Sequence, residues 1–421
     1  MPEIKPFRGI VYNTSKVRLS AVVAPPYDVI SPRQQEELYA ASPLNIVRLI
    51  LGREPDRYQS AAKFYREWRD SGVLTRDGRP AIYALSQEFS LPGAGRVIRR
   101  GFICACRLEE FGTGTIFPHE KTLPKPKEDR LRLLEATQAM FSQIFVLFSD
   151  PHGALRDHVS PDSTPDLEVE FDRVCHRLWR VTDFREIAAL EEALLRQKVF
   201  VADGHHRYET ALSYATARRL RNPAHTGKEA YNFVPMFFAA REDPGLIILP
   251  THRVVHEAPE LDEVRLRRHI AGRFEVRPAG SLGELLQMLS AAPGHAFGMV
   301  LRSAPEFSLI RLTDRGREGL FALPPLLAQL DVTVLHTVVF KGILSLPQDQ
   351  HGASPCIGFE KDAERAAAAV GSGQAQAAFL VKPTGISQVR AVAEAGLTMP
   401  QKSTYFTPKL LSGLVTYSLD D

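Results

Sequence analysis

The chain has 421 residues, with 52 basic and 49 acidic side chains and a formal charge of only +3. That length exceeds one ordinary core and predicts two or three domains, at roughly 100 to 200 residues each. No basic run interleaved with aromatics argues for nucleic acid, no uncharged apolar stretch reaches the ~18 residues of a spanning helix, and the opening M-P-E-I-K-P-F-R lacks the apolar core of a signal peptide, so a cytoplasmic protein without a membrane partner is expected.

Elements follow in chain order. In P-P-Y-D-V-I-S-P-R-Q-Q-E-E-L-Y-A-A, two prolines stiffen a loop, and Ser31 with Pro32 supplies an N-cap and a first helical residue. The runs A-I-Y-A-L-S-Q-E-F-S-L and R-V-I-R-R-G-F-I-C-A-C-R-L flank P-G-A-G, which predicts a β-hairpin. Cys104 and Cys106 fall on one face of its second strand; with Cys175 and Cys356 they match neither a disulfide framework nor a zinc spacing and read as apolar filler. From Lys127 to Met140 the period is helical, with Leu131, Leu134 and Ala139 on one face.

The middle of the chain alternates strand and helix: R-L-W-R-V, then T-D-F-R-E-I-A-A-L-E-E-A-L-L-R-Q capped by Thr182 or Asp183, then K-V-F-V-A, then a helix that stops at Asn222 and Pro223. N-F-V-P-M-F-F-A-A-R and L-I-I-L-P are strands joined by the turn E-D-P-G. Residues 255 to 330 read as an α+β insertion with little polar chemistry. An Ala-rich helix around Ala367, the strand A-A-F-L-V, a helix from Ser387 to Glu394 and a final strand L-L-S-G-L-V-T-Y complete the chain. The expected division is 1–150, an N-terminal α+β domain; 151–254, a central domain with the motif D-G-H-H-R; and 255–421, a C-terminal α+β region completing the site.

The richest chemistry is K-V-F-V-A-D-G-H-H-R-Y-E-T-A-L, which places an Asp, two His, an Arg and a Glu between Asp203 and Glu209. The apolar run predicts a buried strand, and Gly204 permits a sharp turn into a helix starting near His205 or His206. A helix N-terminus receives anions, and Arg207 adds a fork of donors suited to phosphate. Asp203 can hold a metal ion or accept a proton. An Asp that merely caps the helix accounts for one residue, not for two His followed by an Arg. Whether Glu209 belongs to the site stays open.

Three further stretches carry polar groups on short loops. P-H-E-K-T-L-P-K-P-K-E-D-R-L holds His119, Glu120, Lys121, Thr122, Lys125 and Lys127, without the His-Glu-x-x-His zinc spacing. P-T-H-R puts His252 and Arg253 at a strand terminus. M-P-Q-K-S-T-Y-F-T-P-K-L offers Lys402, Ser403 and Thr404 between two prolines, with Lys409 after the second. Tyr27 and Asp28 sit in the proline-stiffened N-terminal loop. There is no G-x-x-x-x-G-K-[ST] loop, no dinucleotide fingerprint and no G-x-S-x-G elbow. Nicotinamide oxidoreductases and α/β-hydrolases are disfavoured accordingly.

On P-P-Y-D-V-I, H-E-K-T with K-x-D-R-L-x-L-L, V-A-D-G-H-H-R-Y-E-T-A-L, P-T-H-R and M-P-Q-K-S-T-Y-F-T-P-K-L, the chain resembles, over nearly its full length, a bacterial and archaeal family known as domain of unknown function 1015. Locally, D-G-H-H-R is similar to the phosphate-site motif of ParB-like and sulfiredoxin-like proteins, including free serine kinases, where the motif opens a helix that contacts nucleotide phosphates. The two resemblances imply an α+β fold with a ParB/sulfiredoxin-like phosphate-site core and additional α+β subdomains.

The expected activity is phosphoryl transfer to a small hydroxylated metabolite, with free serine as a candidate acceptor, ATP or ADP as donor and Mg as accompanying ion. Asp203, Glu120 and His119 are the candidate catalytic residues, and Asp203 and Glu120 the candidate metal ligands. Gly204, His205, His206, Arg207, Lys127, His252, Arg253, Lys402, Ser403, Thr404, Tyr27 and Asp28 are the candidate phosphate and substrate contacts. The alternatives are a metal-dependent phosphatase using His119, Glu120, Asp203, His205 and His206, and a nucleotide-binding switch without turnover. Partners are thus a small-molecule substrate and a nucleotide, with no nucleic acid; the oligomeric state is not legible.

Overall fold

A computed structural model describes residues 2–91, 95–112, 114–155, 163–195, 197–258, 261–303, 306–347 and 354–420. The protein is a mixed α+β chain that forms two compact units. Unit 1 is Met1–Pro118, Thr122–Ile247 and Pro408–Asp421; unit 2 is His119–Lys121 and Ile248–Thr407.

Unit 1 is built on a nine-stranded mixed sheet. Its strands are β1 (Ile4–Lys5), β2 (Ile82–Leu91), β3 (Gly95–Arg107), β4 (Ile116–Phe117), β5 (Ile144–Phe148), β6 (Leu167–Phe171), β7 (Val174–Val181), β8 (Val199–Asp203) and β9 (Phe233–Ala240). The order is β4-β8-β5-β9-β3-β2-β7-β6, with β1 added along β3. β2 and β3 make the expected hairpin, from Tyr83 opposite Ile103 out to Leu91 opposite Gly95. Pro92, Gly93 and Ala94 of its turn lie outside the described residues. β8 is parallel to β4 and antiparallel to β5, and β5 and β9 are continuous apolar runs, as strands covered on both faces require.

The helices of unit 1 follow local signals. α1 (Pro32–Ala41) starts where Ser31 accepts the Gln34 amide. α2 is Arg57–Asp70 and α3 is Pro124–Thr137. α3 begins three residues before the expected Lys127, because Pro124 occupies the first helical position. It also stops before Met140: Gln138 turns left-handed at φ 51°, and Ala139–Met140 is a short strand. Asp183 caps α4 (Phe184–Leu194) through the amides of Arg185 and Glu186. α5 (His205–Arg221) sends Tyr208, Ala211, Tyr214 and Ala215 into one core with Leu134 of α3, Leu190 and Leu194 of α4, and strand residues such as Val201 and Phe238.

The final apolar run is not the expected strand. Gly413 turns it at φ 93°, so Ser412 and Thr416 make isolated bridges to Ala24 and Ile10, and only Tyr417–Ser418 is extended in a ladder.

Unit 2 carries a six-stranded antiparallel sheet of β10 (His252–Val255), β11 (Phe274–Ala279), β12 (Ala296–Leu301), β13 (Phe307–Leu312), β14 (Ile357–Glu360) and β15 (Ala377–Leu380), in the order β11-β13-β12-β15-β10-β14. Alternate residues divide between two cores, as the two-residue period of a strand dictates. Val255, Phe297, Met299, Ala377 and Phe379 join Leu266 and Ile270 of α6 (Glu263–Ala271). Val254, Val300, Ala378 and Leu380 join α7 (Leu282–Ala291) and α8 (Ala363–Gly371). α9 (Ile386–Glu394) packs Val389 and Val392 on Leu330, Val332 and Met399. Among the described residues, no helix is long and apolar enough to cross a membrane.

Candidate functional site

In unit 1 the strand-to-helix turn forms at the expected residues. β8 ends at Asp203, Gly204 adopts φ 95° and ψ 26°, and α5 starts at His205. A side chain at 204 would be strained by that left-handed backbone, and its Cβ would lie 3.0 Å from the Arg207 guanidinium. Glycine thus both makes the turn and lets Arg207 fold back over it.

Arg207 Nη2 donates to Asp203 Oδ2 at 2.6 Å, while Nη1 donates to the Gln143 carbonyl. The other carboxylate oxygen, Oδ1, takes the Lys409 ammonium. Asp203 is 18% exposed and each cation 13%, so this is a nearly enclosed triad in which the two positive groups outnumber the carboxylate. The N-terminus of α5, with its outward-pointing amides and positive dipole end, lies directly beside it.

The rest of the motif is braced to α3. His206 Nε2 accepts the Leu123 amide at 2.9 Å, at the residue that caps α3. Glu209 Oε2 accepts from Thr122 Oγ1 at 2.7 Å and Lys127 Nζ at 2.8 Å. His205 is buried. Tyr27 stacks under the Arg130 guanidinium, 3.9 Å from its ring centroid, and Asp28 follows it in a short 3₁₀ turn. Burial raises the Tyr27 phenol pKa, with the charge of Arg130 opposing. Tyr27 and Arg207 line one apolar cleft with Leu134, Ile144 and Ala211.

Behind Lys409 stands a buried polar row. Arg99 on β3, Gln87 on β2 and His176 on β7 are direct cross-strand neighbours. Arg99 Nε donates to Gln87 Oε1 at 3.0 Å, and Nη2 donates to the Pro408 carbonyl. Gln87 Nε2 donates to the Lys409 carbonyl at 3.0 Å and lies 3.3 Å from His176 Nδ1. Burial brings the Arg99 pKa down to about 9, against the pull of Asp243 and Asp203. Burial, with Arg99 adding repulsion, brings His176 to about 3.

Unit 2 holds the remaining candidates. His119 is fully buried, with Nε2 3.0 Å from Thr404 Oγ1, and its carbonyl accepts the Met399 amide. Glu120 Oε1 accepts the Lys402 amide at 3.1 Å. Arg253 donates to the carbonyls of Thr251, Gln401 and Lys402. Burial lowers its pKa to about 10, opposed by the charge of Glu120. Thr384 Oγ1 donates to the Ser403 carbonyl at 2.9 Å, and Ser403 Oγ to that of Pro400. His252 Nδ1 accepts the Val381 amide at 3.2 Å, and its pKa falls to about 4 through burial and then the charge of Arg253. Together these groups shape the 399–404 loop, in which Lys402 has φ 52°.

The predicted candidates therefore form two groups: Tyr27, Asp28, Lys127 and Asp203–Arg207 in unit 1, and His119, Glu120, His252, Arg253 and Lys402–Thr404 in unit 2. Lys409, Gln87, Arg99, His176 and Gln143 were missed as site residues. One signal for two of them was present: Gln87 and Arg99 fall in otherwise apolar alternation, with Tyr83, Leu85 and Phe89 two and four positions from Gln87.

A resident metal does not fit the Asp203 triad. A hard cation needs several oxygens, and here both carboxylate oxygens carry a cationic side chain. Among the described residues, no group of three or more His, Cys, Asp or Glu is arranged to hold a metal ion.

The family profile "Protein of unknown function (DUF1015)" matches residues 4–333, and the chain belongs to that family. Among solved structures, a free serine kinase variant in complex with AMP is similar at 12% identity and a TM-score of 0.36, over 70% of this chain and 84% of that one. A conserved hypothetical protein from Pyrococcus furiosus is similar at 12% identity and 0.37, over 73% and 93%. C-terminally truncated SbnI from Staphylococcus aureus is similar at 15% identity and 0.36, over 73% and 87%. No curated protein matches the chain.

Proposed function

We propose that this member of the DUF1015 family is a phosphoryl-transfer enzyme whose phosphate site is the N-terminus of α5. One observation carries the reading: Lys409 and Arg207 converge on Asp203 beside that helix start. Phosphoryl transfer asks little covalent chemistry of a protein and depends on positioned cations and a group that orients the nucleophile. Arg207, held to Gln143 and Asp203, is the fixed part. Lys409 is the cation able to shift from Asp203 to a phosphoryl oxygen, and Asp203 then accepts the proton of an attacking hydroxyl.

The local D-G-H-H-R resemblance makes a nucleotide the donor and a small hydroxylated metabolite, with free serine first among them, the acceptor. The apolar cleft that Tyr27 and Arg207 line offers a wall for an organic moiety next to the charged site.

The test is a thermal-shift screen of purified protein with ATP, ADP, pyrophosphate, phosphoserine and Mg²⁺, followed by product analysis with serine and related alcohols. Ligand binding raises the unfolding temperature by mass action. Nucleotide stabilisation with transfer that disappears in folded Asp203→Asn supports the reading. Transfer unchanged in that variant overturns it, and stabilisation without turnover of any alcohol identifies a nucleotide-binding protein instead.

A further inference from the structure

The polar row Arg99–Gln87–His176 is buried in a sheet whose strands are largely apolar. A guanidinium with no solvent exposure is costly unless every donor is used and its charge is matched. Arg99 meets part of this cost through Gln87 and the Pro408 carbonyl, with Asp243 and Asp203 supplying opposing charge. Its Nε and Nη2 reach Gln87, directly opposite on β2, and Nη2 reaches the Pro408 carbonyl. Gln87 in turn spends its amide on the Lys409 carbonyl and faces His176.

Two successive carbonyls, those of Pro408 and Lys409, are therefore gripped by side chains rooted in the sheet. The guanidinium also lies over the Phe145 ring, 4.7 Å from its centroid, which fixes its plane. Lys409 lies 206 residues along the chain from Asp203 and reaches its carboxylate only if the main chain at 408–409 is set in place.

We propose that Arg99 and Gln87 are positioning residues for Lys409: they clamp the Pro408–Lys409 main chain so that the ammonium is delivered to Asp203. For catalysis this rests on the proposed phosphoryl-transfer reading, whereas the clamp itself is a statement about where one amine is held.

Two measurements separate the two. The first is the rate of reductive methylation of Lys409, read by peptide mass spectrometry in the full chain, in wild type, Arg99→Lys, Gln87→Met and Asp203→Asn. Releasing one charge-assisted hydrogen bond should speed labelling about tenfold, and the increase should be confined to Lys409 in all three variants. Arg99→Lys keeps the charge and loses the fork, and Gln87→Met keeps the volume, so at least one is expected to fold with native circular dichroism. A folded variant of either residue in which Lys409 labels at the wild-type rate overturns the clamp.

The second measurement is pyrophosphate affinity by calorimetry, with Lys409→Met as background. If Arg99 acts through Lys409, then Arg99→Lys lowers affinity in wild type and changes nothing further in Lys409→Met, a non-additivity that general destabilisation does not produce. Additive losses overturn the proposal. Specific Lys409 labelling together with a wild type that binds no pyrophosphate or nucleotide leaves the clamp standing and overturns the phosphoryl-transfer reading alone.

Discussion

His206, the second residue of α5, accepts through Nε2 the backbone amide of Leu123, the residue that caps α3. The bond ties two helices at their starts and uses one of the amides that a helix N-terminus leaves without an internal partner. His206→Ala should lower the stability of unit 1 by about 1 kcal/mol, the usual net value of such a bond when a partly buried donor loses its acceptor. His206→Gln, which can still present an acceptor, should recover part of it. Urea midpoints of the three proteins check this.

Asp203 has the larger effect. Its removal leaves Arg207 and Lys409 facing one another with 13% of each side chain exposed. Asp203→Ala should cost about 3 to 5 kcal/mol, as for breaking a buried pair from one side. The double variant Asp203→Ala/Lys409→Met removes one of the two like charges and should be more stable than the single one. Equal stability of the two in thermal unfolding would mean that Lys409 does not depend on Asp203.

Gly204→Ala probes the turn. An L-residue at φ 95° pays roughly 1 to 2 kcal/mol, and the new Cβ lies 3.0 Å from the Arg207 guanidinium. Both effects act in one direction, so unfolding should come earlier by that amount or more. Ligand affinity at the α5 start should fall as well, in the same titrations used for wild type.

The pH dependence follows from two buried imidazoles. His252 in unit 2 and His176 in unit 1 have folded pKa values of about 4 and about 3, against about 6.5 for an unperturbed His. The unfolded chain binds these protons first, so stability is fully present above about pH 6.5 and is lost as pH falls toward the folded values. His252→Asn and His176→Asn should flatten the acid limb of the unfolding curve between about pH 4 and 6.5, each in its own unit. An unchanged acid limb in both variants would assign the loss to other groups.

Much of this was legible in the sequence wherever the signal is local. Ser31, Asp183 and Gly204 each announce a helix start within four residues, and the β2–β3 hairpin follows from two β-rich runs around a Pro/Gly turn. Local reading stumbled at the ends of elements. Pro124 started α3 early, and Gly413 broke an apolar run that alternation alone reads as a strand. The polar partners of the motif were out of reach for another reason. Lys409 meets Asp203 across 206 positions, and Arg99 meets Pro408 across 309. Pairings at that separation are set by sheet order, which leaves no periodic trace near either residue. Glu209, left open by the sequence, belongs to the brace between α5 and α3 through Thr122 and Lys127.

Unit 1 is discontinuous in sequence: Pro408–Asp421 completes it after Ile248–Thr407 has formed the body of unit 2. In chain order, the body of unit 2 is therefore synthesised before the last piece of unit 1. Until then the Arg99 guanidinium lacks the Pro408 carbonyl, Asp203 lacks Lys409, and the core positions later taken by Leu410, Leu411, Leu414, Val415 and Tyr417 stand open. Unit 1 thus stays incomplete until residues 408–421 have been made and are free to fold, and the charged triad closes only then. Proteolytic loss of these few residues would accordingly damage the part of the molecule farthest from them in sequence and spare the part next to them.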